Sequence, residues 1–275
     1  MLKYFYITND PEVAVIAQDA GVDRIFIDME YIGKELRQPN LDTVKNRHTV
    51  ENVKIIRKVL STSELLVRVN PIHNNSREEI ESVIEAGADV IMLPMWTSCE
   101  EVKTFVEIVA KRAKTLLLLE TDKALKCIDG ILELDGIDEI HIGLNDLYLS
   151  QNKTFMFELL TDGTVDYLVN KIAEKEIPYG IGGVGAVGAD VPLPAENILA
   201  EHYRLGSSAV ILARAFCDTS KISDYKLIKE IFDKGIALNR EYESMLRTKD
   251  SEYFERVHKD TEQRIDTIKE RIKVN

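Results

Sequence analysis

The sequence has few of the residues that staple small folds together, and little that would draw it to nucleic acid. Its three cysteines, Cys99, Cys127 and Cys217, stand far apart with no paired spacing. That argues against a disulfide framework or a zinc ribbon and fits a reducing compartment. Basic charge is scarce: 35 Lys and Arg face 47 Asp and Glu, a net charge of -12. Such a balance repels phosphate backbones and anionic lipid, so neither nucleic acid nor membrane is an expected partner. The longest apolar run, Val90 to Trp96, falls far short of the ~20 residues a membrane helix needs. Met1 to Thr8 is too short for a secretory leader, and the expectation is a cytoplasmic protein. No low-complexity stretch divides the 275 residues. A chain of that size buries enough surface to fold unaided, so a metal would be present for chemistry.

What the sequence does contain is an alternation of short β-rich runs with longer helical ones. Strands are predicted at Tyr4–Thr8, Arg24–Met29, Leu65–Val69, Val90–Met95, Thr115–Leu119, Glu139–Gly143, Pro178–Ile181 and Ala209–Ala213. Helices are predicted between them at Pro11–Ala20, Val50–Leu60, Ser76–Ala86, Glu100–Arg112, Lys123–Leu134, Val165–Glu176 and Ala195–Leu205. Eight strand-helix units make a (β/α)8 TIM barrel, whose usual size is ~250 residues. Gly21, Gly87 and Gly206 close helices just before strands, and Ser76 with Glu79 reads as a capping box. The expected organisation is one domain. Residues 1–217 form the barrel core, and 218–275 add the final barrel helix and a C-terminal helical extension. Ser251 to Lys273 has few aliphatics, so it reads either as a solvated arm or as a surface for a neighbouring subunit.

In this architecture chemistry sits at the C-terminal ends of the strands. Those ends are polar here: Asp28-Met29-Glu30-Tyr31 after strand two, Arg68-Val69-Asn70 after strand three, Glu120 after Leu116–Leu119, Gly143-Leu144-Asn145-Asp146 after strand six, and Arg214 after strand eight. Neighbouring strands lie ~4.8 Å apart, so Glu120 and Asp146 come within reach of one ion. Two carboxylates plus water leave a Mg²⁺ or Mn²⁺ site open to substrate, and Arg68 can direct its fork at a substrate carboxylate. Taken singly, each acid also fits an ordinary first-turn helix residue. Together with Arg68 they point to metal-assisted chemistry on a small organic acid. Asp28 and Glu30 could ligate a second ion or hydrogen-bond loop amides, the safer reading being the latter.

The same segments, spread from about Asp19 to Arg214, resemble the HpcH/HpaI aldolase and citrate lyase β-subunit family of the phosphoenolpyruvate/pyruvate barrels. The resemblance runs through Gly21-Val22-Asp23 into Ile27-Asp28-Met29-Glu30, Val67-Arg68-Val69, Glu85-Ala86-Gly87-Ala88 into Leu93-Pro94-Met95, Leu119-Glu120-Thr121, and Gly136-Ile137-Asp138 into Ile142-Gly143-Leu144-Asn145-Asp146-Leu147. It implies a lyase that makes or cleaves a 4-hydroxy-2-oxo acid through a pyruvate enolate. Glu120 and Asp146 would hold Mg²⁺, Mn²⁺ or Co²⁺, Arg68 would clamp the carboxylate, and the backbone of Gly143 to Asp146, with Asn145 among them, would support the oxyanion. Glu30 would reach the ion's water shell. It also implies a homo-oligomer acting on a 2-oxo acid and an aldehyde.

One position departs from the family, which has histidine where this chain has Tyr31. Tyrosine, with a reference pKa of ~10, is a poor base near neutrality. The candidates for the base are therefore Tyr31 itself, Glu30, His48 and His73, with the histidines also readable as surface loop residues. The departure keeps open a citrate-lyase-like or phosphoenolpyruvate-type reaction on the same core, or a weakened barrel that only binds metal and organic acid. His141 is expected to pack against a helix, and His202 and His258 to lie on helix surfaces. Gly180 to Gly188 contains Gly-x-Gly-x-x-Gly in two registers, but after strand seven and before Pro192 it is not a dinucleotide fingerprint. It reads as a phosphate-binding loop or a lid. With Arg214 it would suit a substrate whose aldehyde half carries phosphate or a second carboxylate.

Overall fold

The computed structural model describes residues 1–33 and 48–274. Strands β1 (Lys3–Ile7), β2 (Arg24–Asp28), β3 (Glu64–Arg68), β4 (Val90–Leu93), β5 (Lys114–Leu119), β6 (Glu139–Ile142), β7 (Tyr179–Val184) and β8 (Ala209–Leu212) pair in parallel and in chain order. β8 closes the barrel on β1 through Tyr4 and Val210. The helices are α1 (Pro11–Asp19), α2 (Val50–Val59), α3 (Ser76–Glu85), α4 (Cys99–Val109), α5 (Asp122–Lys126), α6 (Ile128–Ile131), α7 (Leu144–Ser150), α8 (Thr164–Ala173), α9 (Ala195–Arg204), α10 (Tyr225–Leu246) and α11 (Ser251–Val274). No helix among the described residues is long and apolar enough to cross a membrane.

Strand parity divides the apolar residues into two cores. Phe5, Phe26, Leu66, Val90, Met92, Leu116, Leu118 and Ala209 fill the barrel interior, whereas Leu117, Leu119 and their outward-facing counterparts pack under the helices. A strand covered on both sides must be apolar on both, hence the unbroken run of leucines in β5. Below the interior apolar layer, the Arg24 fork grips Glu139 at 2.5 and 2.6 Å and its Nε meets Glu64 at 2.7 Å. That buried ion pair plugs the N-terminal end of the barrel, leaving the opposite mouth for chemistry.

The glycine stops are Schellman ends. At the first, Val22 N–H reaches the Ala17 carbonyl and Gly21 N–H that of Gln18, both at 3.0 Å, with Gly21 at φ +97, a conformation glycine adopts without strain. The predicted capping box at Ser76 does not form. Asn75 is the cap and makes no side-chain bond there. Ser76 instead accepts the His73 N–H at 2.8 Å, and Glu79 accepts from the Asn70 amide at 2.7 Å. The single helix expected over Lys123–Leu134 is interrupted at Cys127, whose N–H is shared between the Lys123 and Ala124 carbonyls, giving α5 and α6.

The C-terminal helix is not the solvated arm that was one of the two expectations. α11 docks on its own barrel: Asn197 of α9 donates to Asp260 at 2.9 Å and to Thr261 at 3.0 Å, and Ile265 is buried in the main core. Its few aliphatics sufficed because polar pairs do the rest. His258 bonds Glu201 at 2.9 Å instead of lying free on a surface. His202 is likewise buried, on Ser207 at 2.9 Å.

Candidate active site

The barrel mouth opens into a cavity of about 610 Å³. Glu30, Arg68, Glu120, Gly143, Asn145, Asp146 and Arg214, all singled out from the sequence, line it. Tyr31 and His48, the other two, are not part of its lining.

Glu120 stands directly beyond β5 with the inward parity of Leu116 and Leu118, and is only 3% exposed. Met95 N–H donates to its Oε1 at 3.1 Å. Its Oε2 lies over Gly143, where an added Cβ would come within 3.2 Å of that oxygen and 2.9 Å of the Glu120 Cβ. Glycine at 143 is therefore what lets the buried carboxylate face the loop that carries Asp146. Burial, then the charges of Asp146 and Glu30, push the Glu120 carboxyl well above the usual carboxylate range. The repulsion is the electrostatic signature of a site that a cation would relieve, and hard carboxylate oxygens suit Mg²⁺ or Mn²⁺. Among the described residues no three His, Cys, Asp or Glu side chains form a complete cage for an ion.

Arg68 is paired more tightly than the sequence suggested. Its Nε and Nη2 grip Asp28 at 2.8 and 2.9 Å, and Glu30 lies 3.4 Å from Nε. Asp28 and Arg68 are register partners on β2 and β3, so strand parity puts both side chains inside the barrel. Burial works against the guanidinium charge, but Asp28 and Glu30 outweigh it and hold the pKa above its ordinary value. The side-on Nε/Nη2 edge of the fork is thus taken by Asp28. Asp28 also makes the loop-amide bond that was one of its two expected roles, accepting Glu30 N–H at 3.2 Å.

Two proposed bases are elsewhere. Tyr31 is 65% exposed, and its backbone N–H is tied to Asn70 at 3.0 Å. His48 accepts the Asp28 N–H on Nδ1 at 3.0 Å. A neutral imidazole has one acceptor nitrogen, so this bond occupies the lone pair a base would use. His73 is bound to Ser76 at 2.8 Å and also lies outside the cavity lining.

His141, expected under a helix, instead points into the barrel and lines the cavity. Its Nε2 meets the Gly182 carbonyl at 3.0 Å, which fixes the proton there because a carbonyl only accepts. Burial pushes its pKa down to about 4. The inward parity shared by Glu139, His141 and Gly143 was the available signal. No sequence signal identified Met95, which acts through its backbone N–H at φ +53.

The glycine-rich segment is not a phosphate loop. Gly180 to Val184 belong to β7, the Val187 N–H is taken by Asn239 at 2.8 Å, and the Gly188 N–H by the Glu196 carboxylate at 3.0 Å. An anion cannot use amides already held by an amide oxygen and a carboxylate, and these bonds to α10 and α9 argue equally against a lid. Only Gly182 and Gly183 of this segment reach the cavity.

A family model described as HpcH/HpaI aldolase/citrate lyase matches residues 2–155, more than half of the chain. The fold is similar to that of an HpcH/HpaI aldolase from Desulfitobacterium hafniense DCB-2, at TM-score 0.61 and 16% identity over 83% of this chain and 93% of that one. It is similar to an HpcH/HpaI aldolase/citrate lyase family protein from Burkholderia cenocepacia J2315, at TM-score 0.61 and 14% identity over 84% and 94%. It is also similar to the citrate synthase SbnG, at TM-score 0.58 and 17% identity over 87% and 94%. No curated protein matches the chain significantly in sequence.

Proposed function

The chain belongs to the HpcH/HpaI aldolase/citrate lyase family, and from that premise we propose that it is a divalent-metal-dependent carbon-carbon lyase cleaving or forming a 4-hydroxy-2-oxo acid. Pyruvate or a close analogue is the enolisable half and an aldehyde the other. The observation that carries this reading is the buried Glu120 carboxylate, turned toward Asp146 in a cavity that also holds Arg68.

In this reading Glu120 and Asp146 hold Mg²⁺, Mn²⁺ or Co²⁺. The bound ion supplies Lewis-acid stabilisation of the charge that develops on the ketone oxygen. Met95 N–H keeps one oxygen of Glu120 in place, and Arg68 offers Nη1 to the substrate carboxylate while Asp28 fixes its plane. The backbone of Gly143 to Asp146 lines the position where negative charge develops, with Asn145 at its rim. Glu30, beside Arg68, takes the proton from the hydroxyl at the carbon being cleaved.

The test is pyruvate release from 4-hydroxy-2-oxopentanoate by the purified protein. Release that EDTA abolishes and Mg²⁺, Mn²⁺ or Co²⁺ restores supports the reading. Chelator-resistant release, or none from a panel of 4-hydroxy-2-oxo acids with any of the three ions, contradicts it.

A further inference from the structure

Glu30 lies beyond Asp28, the last residue that β2 pairs in register with β3, yet it is 2% exposed while Tyr31 beside it is 65% exposed. The strand ladder does not reach far enough to hold so sharp a division, and the bonds trace it to Asn70, just past the end of β3. The Asn70 Oδ1 accepts the Tyr31 and Ile32 N–H groups, both at 3.0 Å, and its Nδ2 donates to the Met29 carbonyl at 3.4 Å. One side chain thus grips the backbone on both sides of Glu30. Glu79 of α3 sets which way the amide faces: its Oε1 accepts from Asn70 Nδ2 at 2.7 Å and from the Asn70 N–H at 3.2 Å. A carboxylate and a carbonyl only accept, so the NH₂ end faces them and the oxygen faces the loop amides. Asn70 is itself buried and is not part of the cavity lining, so its part is to place other groups.

Resting on the aldolase reading above, in which Glu30 takes the substrate proton, we infer that Asn70, oriented by Glu79, is the positioning residue for that base. The chemistry of the place admits few alternatives. Two donors and two acceptors converge on this one side chain, and a buried polar group left unpaired costs about 1–3 kcal/mol. An aspartate would satisfy the two donors but set a second carboxylate against Glu79, and a leucine of similar shape would satisfy none. Position matters because Glu30 is closely set: its Oε2 lies 3.4 Å from Arg68 Nε, and its N–H is tied to Asp28 Oδ1 at 3.2 Å. A shift of the backbone at 29–32 would move the carboxylate relative to the guanidinium and out of line with the substrate hydroxyl, without touching Glu120 or Asp146. The cost then falls on the chemical step and not on binding.

The experiment exchanges donor and acceptor between the two side chains and follows pyruvate release from 4-hydroxy-2-oxopentanoate. Asn70→Asp should lower kcat about 10- to 100-fold, as about 1 Å of misplacement does, with KM and metal affinity little changed. Combining it with Glu79→Gln sets an amide donor opposite the new carboxylate and should recover most of the loss, which a general loss of stability would not allow. Glu79→Ala, at a half-buried helix position, no longer fixes which way the Asn70 amide faces and should lower kcat severalfold in the same pattern. It keeps the test decisive if Asn70→Asp does not fold. Unchanged kcat in Asn70→Asp or Glu79→Ala overturns the inference, as does a loss confined to KM or one that the double variant does not recover. If the wild type releases no pyruvate from any 4-hydroxy-2-oxo acid, the aldolase reading falls, and hydrogen exchange at the Tyr31 and Ile32 amides decides the clamp. Slow exchange in the wild type and the double variant with fast exchange in Asn70→Asp supports it, and equal rates in all three overturn it.

Discussion

Met95 donates its backbone N–H to Glu120 Oε1 at 3.1 Å, and it does so from a left-handed conformation at φ +53. A non-glycine residue held there costs about 1–3 kcal/mol unless its surroundings require it. What requires it here is a buried carboxylate one strand away. Met95→Val, β-branched at positive φ, is expected to destabilise the fold by more than about 1 kcal/mol and to weaken metal affinity. Met95→Gly keeps the amide and relieves the strain, and should retain affinity. Denaturant unfolding and metal titration of both variants check the pair of outcomes.

Removing either carboxylate tests the ion site without touching the core. Glu120→Gln and Asp146→Asn are each expected to lower metal-dependent activity by more than the ~100-fold that loss of an outer partner of a metal ligand can cost. Because Glu120 is buried among like charges, Glu120→Gln should also leave the metal-free protein at least as stable as the wild type. A cooperative unfolding curve shifted to higher denaturant is the confirming measurement.

The Arg68–Asp28 pair predicts an asymmetry. Asp28→Ala strips the buried guanidinium of its bidentate partner, with Glu30 still 3.4 Å away, and is expected to cost up to about 3 kcal/mol of stability, the low end for breaking a buried pair. Arg68→Lys keeps a charge near Asp28 but loses the planar fork, so the larger effect is expected in KM for the 2-oxo acid than in stability. Chemical denaturation and steady-state kinetics on the two variants separate these effects.

Two buried histidines set an acid limit. Burial pushes His202 down to about 3 and His141 to about 4, whereas both titrate near ~6.5 in an unfolded chain. Between those values the unfolded chain binds protons that the folded one refuses, so stability holds above about pH 6.5 and falls as pH drops toward 4. His202→Gln should flatten part of that slope in a series of unfolding curves. His258 acts in the opposite sense. Its bond to Glu201 raises its pKa, so its contribution is present below the unfolded value and is lost as pH rises through the folded one. α11 is therefore expected to loosen first on the alkaline side, which hydrogen exchange across Ser251–Val274 can follow.

The barrel was legible because period and punctuation agreed. Each predicted strand overlaps an observed one, since runs such as Leu116–Leu119 have room only between two apolar layers. The mouth residues Arg68, Glu120 and Asp146 were legible because strand ends are where a barrel places function. Tyr31 and His48 were misplaced because a residue's distance from a strand end says nothing of which way its loop turns. Asn70, holding the Tyr31 and Ile32 amides at 3.0 Å each, makes that turn. His141 was misread for want of a parity count from Glu139. The docking of α11 depends on polar pairs such as Asn197 with Thr261, which no hydrophobic pattern signals.

The central claim is that Glu120 and Asp146 hold an ion that makes pyruvate acidic at its methyl group. It is tested most directly by proton NMR of pyruvate in D₂O with the purified protein and Mg²⁺, Mn²⁺ or Co²⁺. The account predicts metal-dependent deuterium exchange into the methyl group, abolished by EDTA and lost in Glu120→Gln. Undiminished exchange in Glu120→Gln, or no exchange with any of the three ions while metal binding is confirmed, would contradict it.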